Sequence, residues 1–169
     1  MQRKDIIQFW GADGLKRWSE ADLRDVLIPA SSKSFLMEVG LPSQEDWTLS
    51  FGPQTGGLPR LLNKEGYRVI GSDVDVPICL DEQHHGRVVA VEDEVGGSER
   101  LINSNVECFV ECLAYYKQYR TAVRHASEDE VQAIIDATES QIGRTDPAAF
   151  DGSNNWWPII IDQMNEGQL

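Results

Sequence analysis

The sequence lacks a long apolar run, a secretion signal and enough cysteine for a disulfide framework. No stretch approaches the roughly 18 apolar residues that a membrane-spanning helix needs. The N-terminus, Met1-Gln-Arg-Lys-Asp, carries two positive charges but no apolar region after them, so no signal peptide is predicted. Three cysteines cannot all pair, and Cys108 and Cys112 are one helical turn apart, where disulfide geometry is poorly met. These absences predict a cytoplasmic protein with free thiols.

The sequence also lacks the motifs that carry common enzyme chemistry. Its glycines do not follow the GxGxxG or GxxxxGK[ST] spacing that cradles phosphate groups, and it has no CxxC, HExxH or nucleophile elbow. Cys79, His84 and His85 could place metal ligands across a hairpin, but paired histidines beside Gly86 are more typical of a solvated turn. No catalytic residue, cofactor or metal site is therefore predicted.

Two other groups of reactive side chains are interpreted in the same way. Four carboxylates could form an acid–base pair or bind a divalent cation: Asp73, Asp75, Asp81 and Glu82. A general base needs a pocket and a perturbed pKa, and the sequence indicates neither, so carboxylates exposed at strand ends are predicted. Cys108 lies near a predicted helix N-terminus, where the dipole could lower a thiol pKa, but with no histidine nearby in sequence a packed thiol is predicted.

The composition is that of an ordinary soluble globular protein. Of the 169 residues, 41% are hydrophobic and 25% are charged, which suffices for one domain with its own core. The pattern predicts a single domain over 1–169. Its parts are N-terminal helices at 1–46, a β-meander at 47–103 and C-terminal helices at 104–169.

Negative charge is concentrated in two segments. The formal net charge is −13. Residues 127–169 hold nine acidic residues against Arg144, a net charge of −8, and residues 73–94 hold seven against Arg87, a net charge of −6. Such a field repels nucleic acid and anionic membranes and attracts basic protein surfaces. The seven acids of the second segment are Asp73, Asp75, Asp81, Glu82, Glu92, Asp93 and Glu94.

Capping residues and apolar spacing predict five helices. In the third and longest, two apolar stripes predict packing against both the sheet and the C-terminal helices. Trp156 and Trp157 in the last helix are interpreted as buried anchors rather than a binding stripe, and residues 143–153 are predicted to be loose. Three of the predicted helices cover residues 19–27, 32–39 and 154–165. Another begins at Ser104 or Asn105 and runs for five to six turns, and one more begins at Ser127, where a capping box with Glu130 opens it.

Short apolar runs separated by turn residues predict an antiparallel meander of six strands. The short turns between neighbouring runs favour hairpin connections over crossovers. The predicted strands are 48–51, 60–63, 67–71, 77–80, 87–92 and 100–102.

Several runs, in this order, resemble the SUKH superfamily, and most closely its fourth immunity-protein family. The likeness spans nearly the whole chain. Asn105 departs from the family pattern by replacing a small hydroxyl residue, and Gln163 by replacing an acidic one. The runs are Phe35-Leu36-Met37-Glu38-Val39-Gly40-Leu41-Pro42, Ile70-Gly71-Ser72-Asp73, Ile78-Cys79-Leu80-Asp81-Glu82 with Gly86-Arg87-Val88, Leu101-Ile102-Asn103-Ser104-Asn105-Val106 with Phe109 and Leu113, and Trp156-Trp157 with Met164.

The resemblance implies an α+β domain with a twisted, mostly antiparallel sheet of about five to six strands flanked by N-terminal and C-terminal helices. It also implies a bacterial immunity protein that binds a cognate polymorphic toxin, often a nuclease or a nucleic-acid deaminase with a basic cleft. The seven acids of residues 73–94 are then the expected contact residues, which would steer and pair with Lys or Arg of the toxin. The sequence specifies neither the toxin nor an oligomeric state.

Two other classes of function remain open from the sequence. One is a regulatory or scaffold module that binds a cellular partner, which genome neighbourhood would separate from an immunity protein. The other is a metal-dependent or small-molecule enzyme that uses the acidic cluster or the His84-His85 pair, which a ligand and metal screen would reveal.

Overall fold

The computed structural model describes residues 1–43, 49–52, 56–92 and 97–168. Within them the chain forms five α-helices, one antiparallel sheet of five strands and a second sheet of two strands. Along the chain, two of the α-helices precede the larger sheet and three follow it, which confirms the predicted α+β fold. They are α1 (Arg3–Trp10), α2 (Ala30–Glu38), α3 (Val106–Val123), α4 (Glu128–Thr145) and α5 (Trp156–Asn165).

The larger sheet is a meander of five strands, β3 (Leu49–Phe51) to β7 (Glu99–Asn103), in which strand order follows chain order and every neighbouring pair is antiparallel. Five of the six predicted strands are present within one or two residues of their predicted bounds, Thr48 lying outside the described residues. The strands are β1 (Leu15–Lys16), β2 (Leu41–Pro42), β3 (Leu49–Phe51), β4 (Tyr67–Asp73), β5 (Val76–Asp81), β6 (Arg87–Val91) and β7 (Glu99–Asn103).

The sixth predicted strand, at 60–63, is wrong. Arg60 forms an isolated bridge with Arg68, and no strand is assigned between β3 and β4 in the described residues. Pro59 has no backbone N–H with which to extend a ladder. The carbonyl of Leu58 accepts a hydrogen bond from the Arg68 guanidinium at 3.3 Å instead of from a strand. The segment therefore follows the edge of β4 without forming a regular strand.

The N-terminal region departs from the sequence prediction in two places. Helix α1 has no counterpart among the predicted helices. The predicted helix at 19–27 is wrong, because residues 20–25 form a turn. Its capping box nevertheless forms: the backbone N–H and the hydroxyl of Ser19 both donate to the Asp22 carboxylate, at 2.9 and 2.7 Å.

Contacts from distant residues explain why that helix stops after one turn. The backbone N–H of Leu27 donates to the Glu82 carboxylate at 2.8 Å, and the carbonyl of Asp25 accepts from the Arg68 guanidinium. A helix through Leu27 would need the N–H of Leu27 to donate to the carbonyl of Leu23. The meander therefore competes for the backbone that a longer helix would have used.

Gly40 ends α2 and lets the smaller sheet form beside it. Its φ is 88°, in the left-handed region that glycine adopts without strain. A Cβ at this position would overlap the carbonyl oxygen of Lys16 in β1. Since β1 pairs with β2 directly after Gly40, this backbone approach explains the Val39-Gly40-Leu41-Pro42 run and confirms the predicted end of the helix.

The main hydrophobic core joins the sheet to helices from both ends of the chain. Helix α3 contacts α1, α2 and α4 as well as β6 and β7, which confirms its predicted double packing. Trp157 is fully buried and meets the Tyr116 ring edge-on, with centroids 6.0 Å apart. The tryptophans of α5 are therefore buried, as predicted. The apolar residues that line one face of α3 are buried: Val106, Phe109, Val110, Leu113 and Tyr116.

Residues 143–153, predicted to be loose, instead hold regular structure. Helix α4 continues to Thr145, and Pro147–Phe150 form a 3-10 turn. Asp146 lies between them, and only 3% of it is exposed. Its carboxylate accepts hydrogen bonds from β7 and the residue after it, a non-local contact that no local pattern signals.

Candidate partner-binding surface

Of the seven predicted contact carboxylates, the five that the structure describes do not form one surface. The β4–β5 and β6–β7 connections lie at the same end of the sheet, because antiparallel strands alternate in direction. The β5–β6 connection lies at the opposite end. Asp73, Asp75 and Glu92 are at the first end and Asp81 and Glu82 at the second, whereas Asp93 and Glu94 lie outside the described residues.

Asp81 holds the β5–β6 hairpin together from inside. Its side chain is 1% exposed. Its carboxylate lies 2.6 Å from His84 Nδ1 and accepts from Arg87 Nε at 3.0 Å and from the backbone N–H of Gln83 at 2.9 Å. Burial raises the pKa of Asp81, but these hydrogen bonds outweigh burial and bring the pKa below its ordinary value. Asp81 is therefore an ionised internal residue, with no surface left for a partner.

Glu82 forms a buried ion pair with Arg68. The Arg68 Nε atom lies 2.9 Å from Glu82 Oε1, and the two side chains are 8% and 6% exposed. The same Glu82 oxygen accepts the Leu27 N–H, while the Arg68 guanidinium donates to the carbonyls of Asp25 and Leu58. The pair joins β4 and β5 to the segments before α2 and β4. Glu82 thus has a structural role.

The end of the sheet with the β4–β5 and β6–β7 connections does present negative charge. Asp73 accepts a hydrogen bond from the Trp156 indole at 3.0 Å, which ties it to α5. Asp75 is exposed in the hairpin. The Glu92 side chain is 42% exposed and lies 3.5 Å from Arg100 in a surface ion pair. Asp75 and Glu92 are therefore the exposed carboxylates at this end of the sheet.

The cysteine and histidines considered as metal ligands have other roles. Cys79 is buried in the smaller core cluster. His84 contacts the Asp81 carboxylate, and His85 has a φ of 59° in the exposed turn before Gly86. Across the described residues, no group of three or more His, Cys, Asp or Glu is placed to hold a metal ion.

Cys108 and Cys112 are packed thiols. Burial, aided by the nearby Asp146 carboxylate, raises the pKa of Cys108. Burial also raises the pKa of Cys112 well above its ordinary value. Neither is in a disulfide. Both thiols are therefore protonated at neutral pH, and the helix N-terminus does not activate Cys108 as a nucleophile.

Free negative charge lies on α4, where no contact residue had been predicted. Asp129, Asp136 and Glu139 are exposed and lie within roughly 80° of one another on an ideal helix. None of them joins an ion pair among the described residues. Gln132 donates to Asp136 at 2.9 Å and to Asn165 of α5 at 3.1 Å, which brings the two helices together here. We call these three carboxylates the acidic stripe.

The sequence held a signal for this surface. Arg144 is the one basic residue of the last 43, and it lies in the final turn of α4, away from the helix start. Opposite charges within the segment were therefore too few to neutralise it. Further exposed acids in the segment are Glu128, Glu130, Asp151, Asp162 and Glu166.

Buried hydrogen bonds explain the Asn103-Ser104-Asn105 run without a partner. The Asn103 amide donates to Asp146 at 2.8 Å, and its carbonyl accepts from the Trp157 indole at 3.0 Å. The backbone N–H and hydroxyl of Ser104 both donate to Asp146 at 2.7 Å. Asn105 caps α3 by accepting the N–H three residues later at 2.9 Å, as predicted. These contacts join β7, α3, α4 and α5.

Comparison with known proteins identifies the family. Among the described residues, no helix is both long and apolar enough to cross a membrane. Neither a curated protein nor a solved structure matches the chain. Residues 1–163 match the family model described as SUKH-4 immunity protein, a span that contains the whole meander and the Asp146 network. The chain therefore belongs to the SUKH-4 immunity protein family.

Proposed function

We propose that the protein neutralises a cognate toxin of a bacterial polymorphic toxin system by stoichiometric binding that covers the toxin's active site. The observation that carries this proposal is the family match over residues 1–163. An immunity protein implies a toxin partner, and the family implies a protein without enzymatic activity. We place the encounter in the cytoplasm, to which the three cysteines outside disulfides are suited.

The charge of the surface supports a toxin with a basic cleft, such as a nuclease or a nucleic-acid deaminase. Enzymes that bind polyanions present Lys and Arg to phosphate groups. A protein with a net charge of −13 and an unpaired acidic stripe can approach such a cleft with electrostatic steering. The same field opposes nucleic acid and anionic membranes as partners of this chain.

The meander carboxylates divide by role in this proposal. The exposed members contact the toxin, and those with internal partners hold the ends of the strands in place. Rim charges of this kind contribute mainly to the association rate and to orientation, whereas affinity needs apolar contacts. The proposed contacts are Asp75, Glu92, Asp93 and Glu94, and the supporting residues are Asp73, Asp81 and Glu82.

A titration of toxin activity tests the proposal. The purified chain is added to the toxin encoded by the adjacent gene, and the residual activity is measured against the molar ratio. We expect activity to fall linearly to zero at one chain per toxin, and an uncleavable substrate analogue to compete with the chain for binding. An unrelated protein of equal size and net charge is the control and should leave the activity unchanged.

Two outcomes would contradict active-site coverage. Inhibition by far less than one equivalent of chain would indicate a catalytic mode of action. A stable ternary complex of chain, toxin and substrate analogue would show that the active site stays open while the chain is bound.

A further inference from the structure

A groove of about 620 Å³ runs along the surface between α3 and α4. All of its lining residues belong to these two helices and the turn between them. Alanines face each other across it, and because their side chains are short, the two helices leave an open trough rather than a sealed contact. The apolar lining residues are Tyr119, Ala122, Ala126, Ala133, Ile134 and Ala137.

The two ends of the groove differ in charge. Asp129 and Glu130 line the end near the α3–α4 turn, together with His125, whereas Gln118 and Gln141 line the other end. Two members of the acidic stripe lie beside the groove on the outer side of α4: Asp129 lines it, and Asp136 is one helical turn from the lining residue Ala133, whereas Glu139 lies on the opposite face of the helix. The groove thus combines an apolar floor with negative charge at one end and along one side.

We propose that this groove receives an amphipathic helix of the toxin. The apolar face of that helix lies against the alanines, and its Lys or Arg side chains lie over the turn end of the groove and toward Asp136. The inference rests on the proposed function and assigns a specific surface to it. A helix in an apolar groove is a common mode of recognition, in which buried side chains supply affinity and charges at the rim supply orientation.

The charge distribution favours a basic partner over a second copy of this chain. In a two-fold dimer the same patch meets itself. Asp129 and Glu130 of both copies would then lie in one contact between two acidic chains, and repulsion between like charges opposes that contact. A nucleic acid is opposed by the same field. A basic protein segment satisfies both the apolar floor and the charged border.

Filling the groove tests the proposal. Ala137 is exposed, so Ala137→Trp should fold while its indole occupies the trough. We expect the Kd for the toxin encoded by the adjacent gene to rise roughly ten-fold or more, because the groove is central to the contact. Ala21→Trp, the same substitution at an exposed alanine outside the groove, is the matched control and should leave the Kd unchanged.

Two further variants keep the test informative. Ala122→Trp blocks the groove from the α3 side and serves if Ala137→Trp fails to fold, which circular dichroism shows. Asp129→Lys places a positive charge at the turn end and should weaken binding more than Asp151→Lys, an exposed acid that does not line the groove.

The outcomes separate this inference from the proposed function. If the unmodified chain binds the toxin and both tryptophan variants bind it equally well, the groove is not the docking site, although the immunity function stands. If the unmodified chain does not bind the toxin, both proposals fall. A dimer of the chain alone that Ala137→Trp converts to a monomer would assign the groove to a second copy and overturn the inference.

Discussion

The meander and the C-terminal helices both carry dense negative charge, but they use it in opposite ways. In the meander, Asp81 and Glu82 are almost completely buried and are bound to Arg87 and Arg68. In α4, the acidic stripe is exposed, and no ion pair among the described residues involves it. Residues 73–94 hold seven acids in 22 residues and residues 127–169 hold nine in 43, yet the denser cluster has more of its charge neutralised by bases of the chain.

This difference shows that acidic density in a sequence does not locate acidic surface. The meander at 47–103 holds five basic residues against nine acids, and three of those bases pair with its acids, as Arg68 on β4 does with Glu82 after β5. Residues 127–169 contain only Arg144 as a base, so little internal neutralisation was available to them. The count of local opposite charges is therefore more informative than the count of acids.

The largest loss of stability is expected when the buried ion pair between Arg68 and Glu82 is broken. Arg68→Met leaves the Glu82 carboxylate buried without its counter-ion, and we expect the free energy of unfolding to fall by about 3–5 kcal/mol. Urea denaturation at neutral pH measures it. Adding Glu82→Met should recover part of the loss, because the lone charge is then gone. Arg24→Met, at an exposed arginine, should cost less than about 0.5 kcal/mol. Equal losses for both arginines would contradict the structural role.

A smaller loss is expected at the one buried acid of the C-terminal segment. Asp146→Asn keeps the side-chain shape but replaces an oxygen that accepts from Asn103 and Ser104 with a donor. Loss of a charge-assisted hydrogen bond predicts a decrease of about 1.5–3 kcal/mol in the free energy of unfolding. Thermal and urea unfolding measure it, with Asp151→Asn, an exposed acid nearby, as the control. A neutral effect would show that this network does not hold the helices together.

Acid should weaken the meander through Asp81. Its pKa is lowered in the folded protein from an ordinary value of 3.8, so the unfolded state takes up its proton first as pH falls. The stabilisation is fully present above the ordinary pKa and is lost as pH drops from about 5 through the folded pKa. We expect the difference in unfolding free energy between pH 7 and pH 3 to be smaller in Asp81→Asn than in the unmodified chain. An identical difference would contradict the assignment.

The acidic stripe should show the smallest effect on stability. Asp136→Asn and Glu139→Gln remove exposed charges that no ion pair compensates, so each should change the free energy of unfolding by less than about 0.5 kcal/mol. The same urea denaturation used for the buried acids checks this. A loss of more than about 1.5 kcal/mol at either position would show that the stripe is structural, as the buried meander acids are.

The elements that were predicted correctly have local causes. Asn105 caps α3, Ser127 and Glu130 close a reciprocal box at α4, and Gly40 ends α2 through its own backbone conformation. Each of these signals operates within about four residues, so the sequence displays it directly. The turns between neighbouring strands gave the antiparallel meander for the same reason.

The elements that were missed depend on distant residues. The box between Ser19 and Asp22 forms, yet the helix beyond it does not, because Glu82 accepts the backbone N–H of Leu27 that the helix would have used. Burial of Asp146 orders residues predicted to be loose by the same kind of contact. Pairing across 40 or more residues leaves no periodic pattern in the sequence.

The candidate site shows the same limit. Asp81 ends β5 and Glu82 follows it, positions that exposed acids also occupy, and only the folded positions of Arg68 and Arg87 reveal that the two are internal. The groove between α3 and α4 needs both helices in place, since neither set of alanines is distinctive alone. The net charge of residues 127–169 did indicate an acidic region, but not which carboxylates face solvent.

The salt dependence of complex formation tests the central claim most directly. The rate constant for association with the toxin encoded by the adjacent gene is measured from low to high NaCl, for the unmodified chain and for Asp129→Asn/Asp136→Asn/Glu139→Gln. If exposed carboxylates guide the encounter, the unmodified chain should associate roughly ten-fold or more slowly at high salt, and the variant should be slower at low salt and less sensitive to salt. An association rate that salt leaves unchanged in the unmodified chain would contradict the account.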